Sequence, residues 1–409
     1  MWSDKHTGIS MKLKRITLVA MGLAGAPAIA AAQSSVQIYG TLNADFESVE
    51  ASGAASGQNF VRRNRITSNS SNIGFRGSED LGSGVKAFFQ IESAVNLDDG
   101  TTSGFLASRN SGIGFQGGWG QLTVGQWDSP YKYSTQRFDP FNDTSIGAYT
   151  GILGGTGTIT AGQGGANFAQ RASFDRRVSN VVQYWTQNWN GLSGRFAYGV
   201  TDTQLGTPAT GVAEASGLKP DLVSAMAAYD KEPLYATLAY ERHTDFQPLN
   251  TLLGAPASKG RDDAWKAGVS YRVLEGFTLG GIYERLQYRA DDINGLGALE
   301  RKIDNWYVVG KYENGAHIAA LSYGRKGRER LSGAGFSDLP DSQAHQISAR
   351  YGHSFSKRTQ LYAMATRITN GSNAFQEFGY APITSTTLFR DPSRGADFTG
   401  FGLGMIHSF

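Results

Sequence analysis

Residues 36–47 alternate between apolar and polar side chains over twelve consecutive positions. The apolar set is Val36, Ile38, Leu42, Ala44 and Phe46, and the polar set is Gln37, Tyr39, Thr41, Asn43, Asp45 and Glu47. Successive side chains of a β-strand point to opposite faces, so the pattern predicts a strand with one apolar face. Strands of globular proteins usually have about five or six residues, whereas a tilted membrane-spanning strand needs about 9–11. The length therefore favours a membrane strand.

The same alternation recurs along the chain. Leu234, Ala236, Leu238 and Tyr240 oppose Tyr235, Thr237 and Glu241; Trp306, Val308 and Tyr312 oppose Tyr307 and Lys311; and Phe401, Leu403, Met405 and Phe409 oppose Gly400, Gly402, Gly404 and Ser408. The composition agrees, because the 409 residues include 53 Gly and 11% aromatic residues, which favour strands over helices. The chain has no Cys, which excludes disulfides, thiolate metal sites and a cysteine nucleophile.

Short turns and long polar stretches follow each other in order. Turn signals occur at 79–84, 117–120, 188–193, 230–233, 273–276, 313–315 and 354–358, and the long stretches lie near 51–59, 96–107, 127–174, 202–218, 244–260, 289–300, 326–340 and 370–395. Fifteen connections imply sixteen strands. An even number of strands, with short turns at one rim and long loops at the other, is typical of outer-membrane barrels. We therefore predict an all-β fold, a 16-stranded antiparallel transmembrane β-barrel. A soluble β-sandwich or propeller is the alternative.

The N-terminus is predicted to be a secretory signal. Lys12, Lys14 and Arg15 precede an apolar run at 16–26, and small residues at 30–32 precede Gln33. Initiation at Met11 fits this signal better than Met1, and an N-terminal anchor helix is the alternative. Removing 1–32 takes four of the 38 basic and one of the 35 acidic residues, so the mature chain has 34 of each. A neutral chain gives no reason to expect nucleic acid as a partner. Residues 33–409 are predicted to form one barrel domain.

A sheet in hydrocarbon cannot leave an edge, because each unpaired backbone group costs several kcal/mol there. The first and last strands must therefore pair. Side chains cannot fill a sixteen-strand barrel, so its lumen holds water. The strand pattern thus predicts a water-filled channel in a membrane.

Four segments carry a resemblance to a known family. They are the mature start at 33–40, the segment 72–87 with its Ile-Gly-Phe-Arg-Gly-Ser-Glu-Asp-Leu-Gly core, residues 177–184, and the C-terminal segment 404–409 that ends in Phe409. Over nearly its whole mature length the chain resembles the general diffusion porins of Gram-negative outer membranes, especially the β-proteobacterial trimeric branch. The resemblance implies a homotrimer in outer-membrane lipid, with Phe409 as the signal for assembly.

The resemblance also implies that the third long loop folds inward and narrows the pore. Acids of this loop should then face arginines of the opposite wall, and the loop acids expected there are Asp128, Asp139 and Asp143. Arg109 and Arg177 match the family's wall arginines on strands four and six. Asn72 and Gln126 stand where relatives carry Arg. Arg62, Arg63 and Arg65 could compensate from the extracellular half, and Arg76 faces the same side nearer the periplasmic rim.

The mechanism that follows is passive. A transverse field orients small hydrophilic solutes and ions, and the pore width excludes large ones. Because two family arginines are missing and the mature chain is neutral, we predict weak ion selectivity of either sign. No metal or cofactor is expected.

Two other functions remain as alternatives. A substrate-specific channel for a sugar, nucleoside or carboxylate could use loop aromatics as a binding track, with the candidates Tyr131, Tyr133, Phe138, Phe141 and Tyr149. An enzyme is disfavoured, because the six His residues are scattered and the sequence has no His-Glu-x-x-His, Gly-x-Ser-x-Gly or P-loop motif.

Overall fold

The structure is a computed structural model of the whole chain. It describes residues 35–55, 59–100, 106–141, 144, 146–154, 174–200, 218–246, 249, 253, 258–380, 382–383 and 394–409. The predicted signal segment 1–32 lies outside the described residues.

Sixteen antiparallel strands form one sheet, and two of them are interrupted. The strands are β1 (Ser35–Ser52), β2 (Phe60–Ser68 and Asn72–Gly82), β3 (Val85–Ala94), β4 (Ser111–Gly117), β5 (Gly120–Asp128), β6 (Arg177–Trp185), β7 (Leu192–Val200), β8 (Asp221–Lys231), β9 (Leu234–Thr244), β10 (Gly260–Leu274), β11 (Phe277–Ala290), β12 (Leu299–Asn314), β13 (His317–Lys326 and Arg330–Gly333), β14 (Ala344–Ser354), β15 (Thr359–Asn370) and β16 (Asp397–Ser408).

The sheet closes on itself between its first and last strands. β1 pairs with β16 from Thr41 opposite Ser408 to Ser52 opposite Asp397. Beyond this register, Gly40 and Phe409 exchange two backbone hydrogen bonds, of 3.1 and 3.2 Å. The edges that would otherwise be left unpaired in hydrocarbon are thereby joined, so the predicted 16-stranded barrel is confirmed.

The apolar side chains lie on the outer face of the barrel. On β1, Val36 and Ile38 are 61% and 58% exposed, whereas the alternate residues Asp45 and Glu47 are 3% and 0% exposed. On β16, Leu403 is 65% exposed. A soluble β-sandwich buries the apolar face of each strand between its sheets. Here the apolar face points outward, away from the enclosed space.

Both interruptions of the ladder are bridged locally. Between the two segments of β2, Ser70 adopts a positive φ of 52°. Ser71 there replaces a backbone partner: its Oγ accepts from Asn43 N (2.8 Å) and donates to Asn43 O (2.9 Å). In β13 the second segment, Arg330–Gly333, still pairs with β12. This segment lies inside 326–340, which was predicted to be a loop. β13 extends further than predicted because Gly327 N, between its two segments, donates to Asp304 O of β12 (2.9 Å).

The connections follow the predicted order. Each of the seven predicted turns joins two strands at one rim, and the long stretches join strands at the other. The short helices lie in the connection between β5 and β6: α1 (Pro130–Tyr133) and two 3₁₀ helices, Gln136–Phe138 and Tyr149–Gly151. None of the helices in the described part of the chain is long and apolar enough to cross a membrane.

Candidate pore constriction

The connection between β5 and β6, here named L3, comprises residues 129–176, of which 142–143, 145 and 155–173 lie outside the described residues. Its described side chains contact lumen-facing residues of the far wall. Tyr131 OH donates to Glu284 of β11 (2.9 Å), and Tyr235 OH of β9 donates to Ser134 O (2.9 Å). L3 therefore folds into the barrel, as the family resemblance implies.

Local sequence starts the helix that turns L3 inward. Ser129 is the N-cap of α1, its Oγ accepting from Lys132 N (3.2 Å), and Pro130 occupies the first helical position. A Ser cap satisfies a free N–H at the helix start, and Pro is favoured there because it has no N–H to satisfy. The helix then places the Tyr131 ring against the wall, where the residue is fully buried.

A buried group of charges, here named the anchor cluster, attaches L3 to β10, β11 and β12. It consists of Lys266, Asp175, Glu284, Tyr131 and Asn305. Lys266 Nζ lies 2.5 Å from Asp175 Oδ1 and 3.5 Å from Glu284 Oε1. Glu284 also accepts from Asn305 Nδ2 (2.9 Å) and from the backbone N of Gly154 in L3 (2.9 Å).

The anchor cluster is closed to solvent. The side chains of Lys266, Asp175 and Glu284 are at most 1% exposed. The Lys266 ammonium also lies 4.1 Å from the Tyr131 ring centroid, a cation–π contact. Burial, together with the nearby Glu284 carboxylate, raises the pKa of Asp175 to about 6, although the Lys266 ammonium opposes this shift. A buried pair of this kind is held in place strongly, because removal of either partner leaves an uncompensated charge.

Aromatic side chains of L3 also pack against the wall on the side of β9 to β11. Phe138 packs against Gly268 and Gly280 of the wall, where an added Cβ would lie 2.9 and 3.0 Å from its ring. Phe174 stacks on His243 with ring centroids 4.4 Å apart. Only small wall residues leave room for such rings, so these glycines form the groove in which L3 lies.

The far end of L3 is held by polar side chains of β14 and of the connection between β15 and β16. Gln346 of β14 donates to Gly147 O (3.2 Å) and Ala148 O (3.1 Å), and Gln376 donates to Gly151 O (2.8 Å). Arg350 of β14 donates to Pro140 O. L3 thus crosses from β5 to β14 and reaches β16, where Ile146 packs against Gly400. The inner face of β1 to β6 lines the remaining lumen.

The loop aromatics do not form a binding track. Tyr131, Phe138, Phe141 and Tyr149 are 0–4% exposed, and only Tyr133 is open to the lumen, at 41%. Tyr133 lies against Arg195 of β7, whose guanidinium carbon is 3.2 Å from the ring centroid. The expectation that these residues could line a substrate track is therefore wrong for four of the five: they pack L3 to the wall.

The inner face of β1 to β6, which L3 leaves uncovered, is here named the open wall. Two of the expected arginines pair with carboxylates of this wall. Arg109 Nε lies 2.6 Å from Glu92 Oε1 of β3, and Arg65 Nε lies 2.7 Å from Glu47 Oε2 of β1. Arg109 stands two residues before β4 begins, but its backbone N still bonds Glu92 O (2.9 Å). Tyr39 OH also donates to Glu92 (3.1 Å).

Arg177 and Asp128 are paired in the same way. They are register partners on β6 and β5, and Arg177 lies 3.3 Å from Asp128 Oδ1. Lys132 of α1 also binds this carboxylate (3.0 Å), as does Asn110 Nδ2 (3.0 Å on Oδ2). Asp128 is therefore the last residue of a wall strand and not a loop acid facing Arg177 across the pore, because β5 extends two residues further than predicted.

Of the other predicted constriction residues, the three that the structure describes, Arg76, Arg63 and Asp139, do not lie together at one level of the pore. Arg76 lies near the short-turn rim, where its Nε donates to Gln37 (2.9 Å) and its guanidinium covers Tyr39. Arg63 lies opposite Val49 near the long-loop rim and covers Phe60. Asp139, in L3, accepts from Phe141 N (2.9 Å) and interacts electrostatically with Arg350. Asp143 lies outside the described residues.

Asn72, Gln126 and Arg62 add no positive charge to the lumen. Asn72 donates to Ser70 O (3.0 Å), and Gln126 donates to the backbone O of Arg109 (3.1 Å), so both act as local braces. Arg62 faces outward, 2.5 Å from Glu50 and over the Phe401 ring, so the suggestion that it contributes to the lumen is wrong.

Reasoning from sequence missed the anchor cluster and Arg350. A signal was present, because Lys266 and Glu284 are register partners at lumen-facing positions of neighbouring strands. A Lys and a Glu on the polar side of two alternating strands predict a pair once the register is known. Among the described residues, no group of three or more His, Asp or Glu is arranged to hold a metal ion.

Comparison with known proteins agrees with this geometry. A family model described as Gram-negative porin matches residues 17–373. Outer membrane porin protein 32 of Delftia acidovorans is 28% identical over 355 residues, which cover 87% of this chain and 89% of the relative.

Solved structures give the same result. An anion-selective porin from Comamonas acidovorans is 25% identical, with a TM-score of 0.70 over 92% of this chain and all of that chain. OmpT of Vibrio cholerae in its trimer form, 15% identical, shares the fold with a TM-score of 0.59 over 92% of this chain and 99% of that one. The family model spans most of the sequence, and the closed barrel and inward L3 match it, so this chain belongs to the Gram-negative porin family and is an outer-membrane porin.

Proposed function

We propose that this porin conducts small hydrophilic solutes and ions by passive diffusion with weak ion selectivity. The observation that carries the proposal is the pairing along the open wall. Arg65, Arg109 and Arg177 each lie within 3.3 Å of a carboxylate on a neighbouring strand. Charges paired side by side present a smaller net field to a passing ion than opposed rows of one sign.

The solute path follows from the position of L3. The anchor cluster and the buried aromatics occupy the side of the lumen along β9 to β14. The remaining space is bounded by α1 and by the polar inner face of β1 to β6, which includes Tyr39, Glu92 and Arg109. A wet path lined by such paired charges admits polar solutes without a site built for one of them.

The test is the reversal potential of the purified protein in planar bilayers under a KCl gradient. We expect a value near zero. The double variant Glu47→Gln/Glu92→Gln releases two arginines from their partners and should shift the potential toward anion preference. Glu50→Gln is the matched control, because Glu50 pairs with Arg62 on the outer face and should change nothing. A native protein that strongly excludes cations would contradict the proposal.

The relative from Comamonas acidovorans is described as anion-selective. If this chain shared that property, the pairing of wall arginines with carboxylates would not decide selectivity. The comparison makes the reversal potential decisive, because the two expectations differ in magnitude for the native protein.

A substrate-specific channel finds no support in L3. Its aromatic side chains are buried against β9 to β14, so they offer no exposed track. Single-channel recordings with added sugars, nucleosides and dicarboxylates should show no saturable block by any one class. We further propose that the chain acts as a channel and not as an enzyme, as its family does.

We also propose that the protein is a homotrimer. The fold is shared with an outer membrane protein of Vibrio cholerae described in a trimer form. The outer face of β1 and β16 offers an apolar surface that includes Ala44 and Leu403 beside larger side chains, as a subunit contact would need. Native mass spectrometry of detergent-solubilised protein should show three chains; a monomer would contradict this.

We propose that the two ends of the chain serve export and assembly. Residues 1–32 are proposed to be removed as a signal peptide before Gln33, and N-terminal sequencing of the mature protein tests this. Phe409 is proposed to be the signal for insertion into the outer membrane.

A further inference from the structure

A three-residue pattern occurs twice on the outer face of the barrel. Tyr240-Glu241-Arg242 on β9 lies in register with Asp263-Ala264-Trp265 on β10, and Tyr283-Glu284-Arg285 on β11 lies in register with Asp304-Asn305-Trp306 on β12. In both copies Tyr faces Trp and Arg faces Asp. The central Glu points into the lumen, so the Tyr and Arg side chains point outward.

In the first copy, two arginines share one carboxylate. Asp263 Oδ1 binds Arg242 Nε (2.8 Å) and Asp263 Oδ2 binds Arg261 Nε (2.9 Å), while Tyr240 OH donates to Oδ1 (2.5 Å). The Tyr240 and Trp265 rings lie 4.5 Å apart. The two arginine side chains are 41% and 50% exposed.

The second copy repeats this arrangement. Asp304 Oδ1 binds Arg285 Nε (2.7 Å) and accepts from Tyr283 OH (2.7 Å), and Asp304 Oδ2 binds Arg330 of β13. Arg285 and Arg330 are each 50% exposed. Each copy thus carries two arginines for one aspartate and a net charge of +1.

A third Tyr-x-Arg pair follows on β13. Tyr323 and Arg325 point outward, but the register partner of Arg325 is His345, whose Nδ1 is bonded to Tyr323 OH (2.6 Å). We name five residues the arginine band: Arg242, Arg261, Arg285, Arg325 and Arg330. Against Asp263 and Asp304 the band has a net charge of +3. The neighbouring pairs Arg289–Asp291 and Lys302–Glu300 are balanced one to one.

Among the described residues, two outward arginines on the other side of the barrel lack this excess. Near the long-loop rim, Arg62 pairs with Glu50 (2.5 Å) and Arg367 of β15 pairs with Asp397 of β16 (2.9 Å). Both are balanced ion pairs at comparable positions. Within the part of the rim that the structure describes, the positive excess therefore belongs to β9 to β13.

The depth of the band identifies what it faces. β9, β11 and β13 run from the short-turn rim toward the long-loop rim, and on each of them the Tyr comes two residues before the Arg. The Tyr and Trp rings therefore form a row nearer the middle of the membrane, and the guanidinium groups form a second row nearer the long loops. Aromatic belts mark the boundary between hydrocarbon and headgroups, and long loops mark the extracellular rim. The guanidinium groups therefore stand at the headgroups of the outer leaflet, where forked donors match phosphate oxygens.

We propose that the arginine band binds the phosphate groups of a phosphorylated glycolipid in the outer leaflet. Each shared aspartate holds two guanidinium groups in place. One carboxylate cannot accept from all the N–H groups of two guanidinium groups, so the remaining N–H groups can bind phosphate oxygens. The lipid's acyl chains would then lie along the outward apolar residues below, such as Val269 and Val308, which are 53% and 42% exposed.

The experiment is native mass spectrometry of the purified protein in a nonionic detergent, with lipid A added as the probe. Lipid A carrying two phosphates should bind, and the same lipid with both phosphates removed should bind at least roughly tenfold more weakly. This arm needs no variant and does not depend on folding of a mutant. Equal binding of the two lipids would overturn the proposal.

Variants locate the site. Replacing all five arginines of the band with Gln should weaken binding of lipid A roughly tenfold or more. The matched control, Arg62→Gln/Arg367→Gln, removes outward arginines at balanced pairs and should leave binding unchanged; heat-modifiable mobility checks folding of both. Undiminished binding in the five-Gln variant, or an equal loss in the control, would overturn the assignment. Conductance is not measured, so failure here leaves the channel proposal standing.

Discussion

At the scale of single residues, Lys266 is the side chain on which the position of L3 depends most. It is the cation between two buried carboxylates, Asp175 and Glu284, one from the loop and one from the wall. A buried ion pair adds little to stability beyond a well-packed apolar pair of the same size, but breaking it costs about 3–5 kcal/mol. The cluster therefore fixes where L3 lies more than it stabilises the barrel.

Lys266→Met should loosen L3. The variant leaves Asp175 and Glu284 buried without a cation, so the docked loop loses about 3–5 kcal/mol relative to the undocked one. Single-channel recordings should show increased open-channel noise and altered conductance. Lys311→Met is the control, because Lys311 pairs with Glu313 at a half-exposed site away from L3. A Lys266→Met channel as quiet as the native one would contradict the anchoring role.

Asp175 should make docking of L3 depend on pH. In the docked loop, burial raises its pKa to about 6, and exposure would return the pKa to about 4. Between these values the docked state holds a proton that the undocked state releases, so docking weakens as pH rises from 4 to 6. Open-channel noise should therefore be greater at pH 7 than at pH 4.5, and Asp175→Asn should remove the difference. Noise that falls with rising pH would contradict this sign.

How far residue roles could be predicted depends on register. Arg109 and Arg177 were expected opposite loop acids, and the structure pairs them with Glu92 of β3 and Asp128 of β5. Alternation shows which residues face the lumen, but the partner across a ladder depends on where each turn begins. A two-residue difference at the end of β5 turns Asp128 from a loop acid into a wall acid.

At the scale of elements, alternation and turn chemistry predicted most of the barrel. The strand at 36–47 and the last strand could be predicted from the alternation of apolar and polar residues alone. In a membrane barrel, successive side chains point alternately to lipid and to the water-filled lumen. The second segment of β13 was missed because Gly327 and the charges beside it resemble a loop. The direction of L3 came from the family resemblance, since its Pro and aromatic residues do not by themselves name the wall they pack against.

The last strand offers an element-scale test of Phe409. Its backbone closes the seam with Gly40, whereas its side chain is the proposed assembly signal. Phe409→Ser keeps both backbone hydrogen bonds, so refolding in detergent should match the native protein, while the amount in the outer membrane should fall severalfold. Heat-modifiable mobility and membrane fractionation measure the two quantities.

Phe401→Ser is the control for this test, because Phe401 is another outward Phe of β16 and is 52% exposed. If Phe401→Ser and Phe409→Ser lower the membrane level equally, general loss of apolar surface explains the effect and Phe409 is not a signal.

At the scale of the whole molecule, the outer surface has two sides. One side, around β1 and β16, is apolar with balanced ion pairs at its rim, and it suits a subunit contact. The other, from β9 to β13, carries aromatic rings beneath the arginine band and suits lipid headgroups. Inside, L3 occupies the lumen along β9 to β14 and leaves the open wall of paired charges for solutes.

Conduction through this barrel depends on water filling the lumen beside the docked L3. The most direct test is single-channel conductance in planar bilayers over a range of KCl concentrations. A water-filled pore with paired wall charges predicts discrete steps whose conductance rises in proportion to the conductivity of the bulk solution. Purified, folded protein that inserts without producing steps, or whose conductance saturates at low salt, would contradict the account.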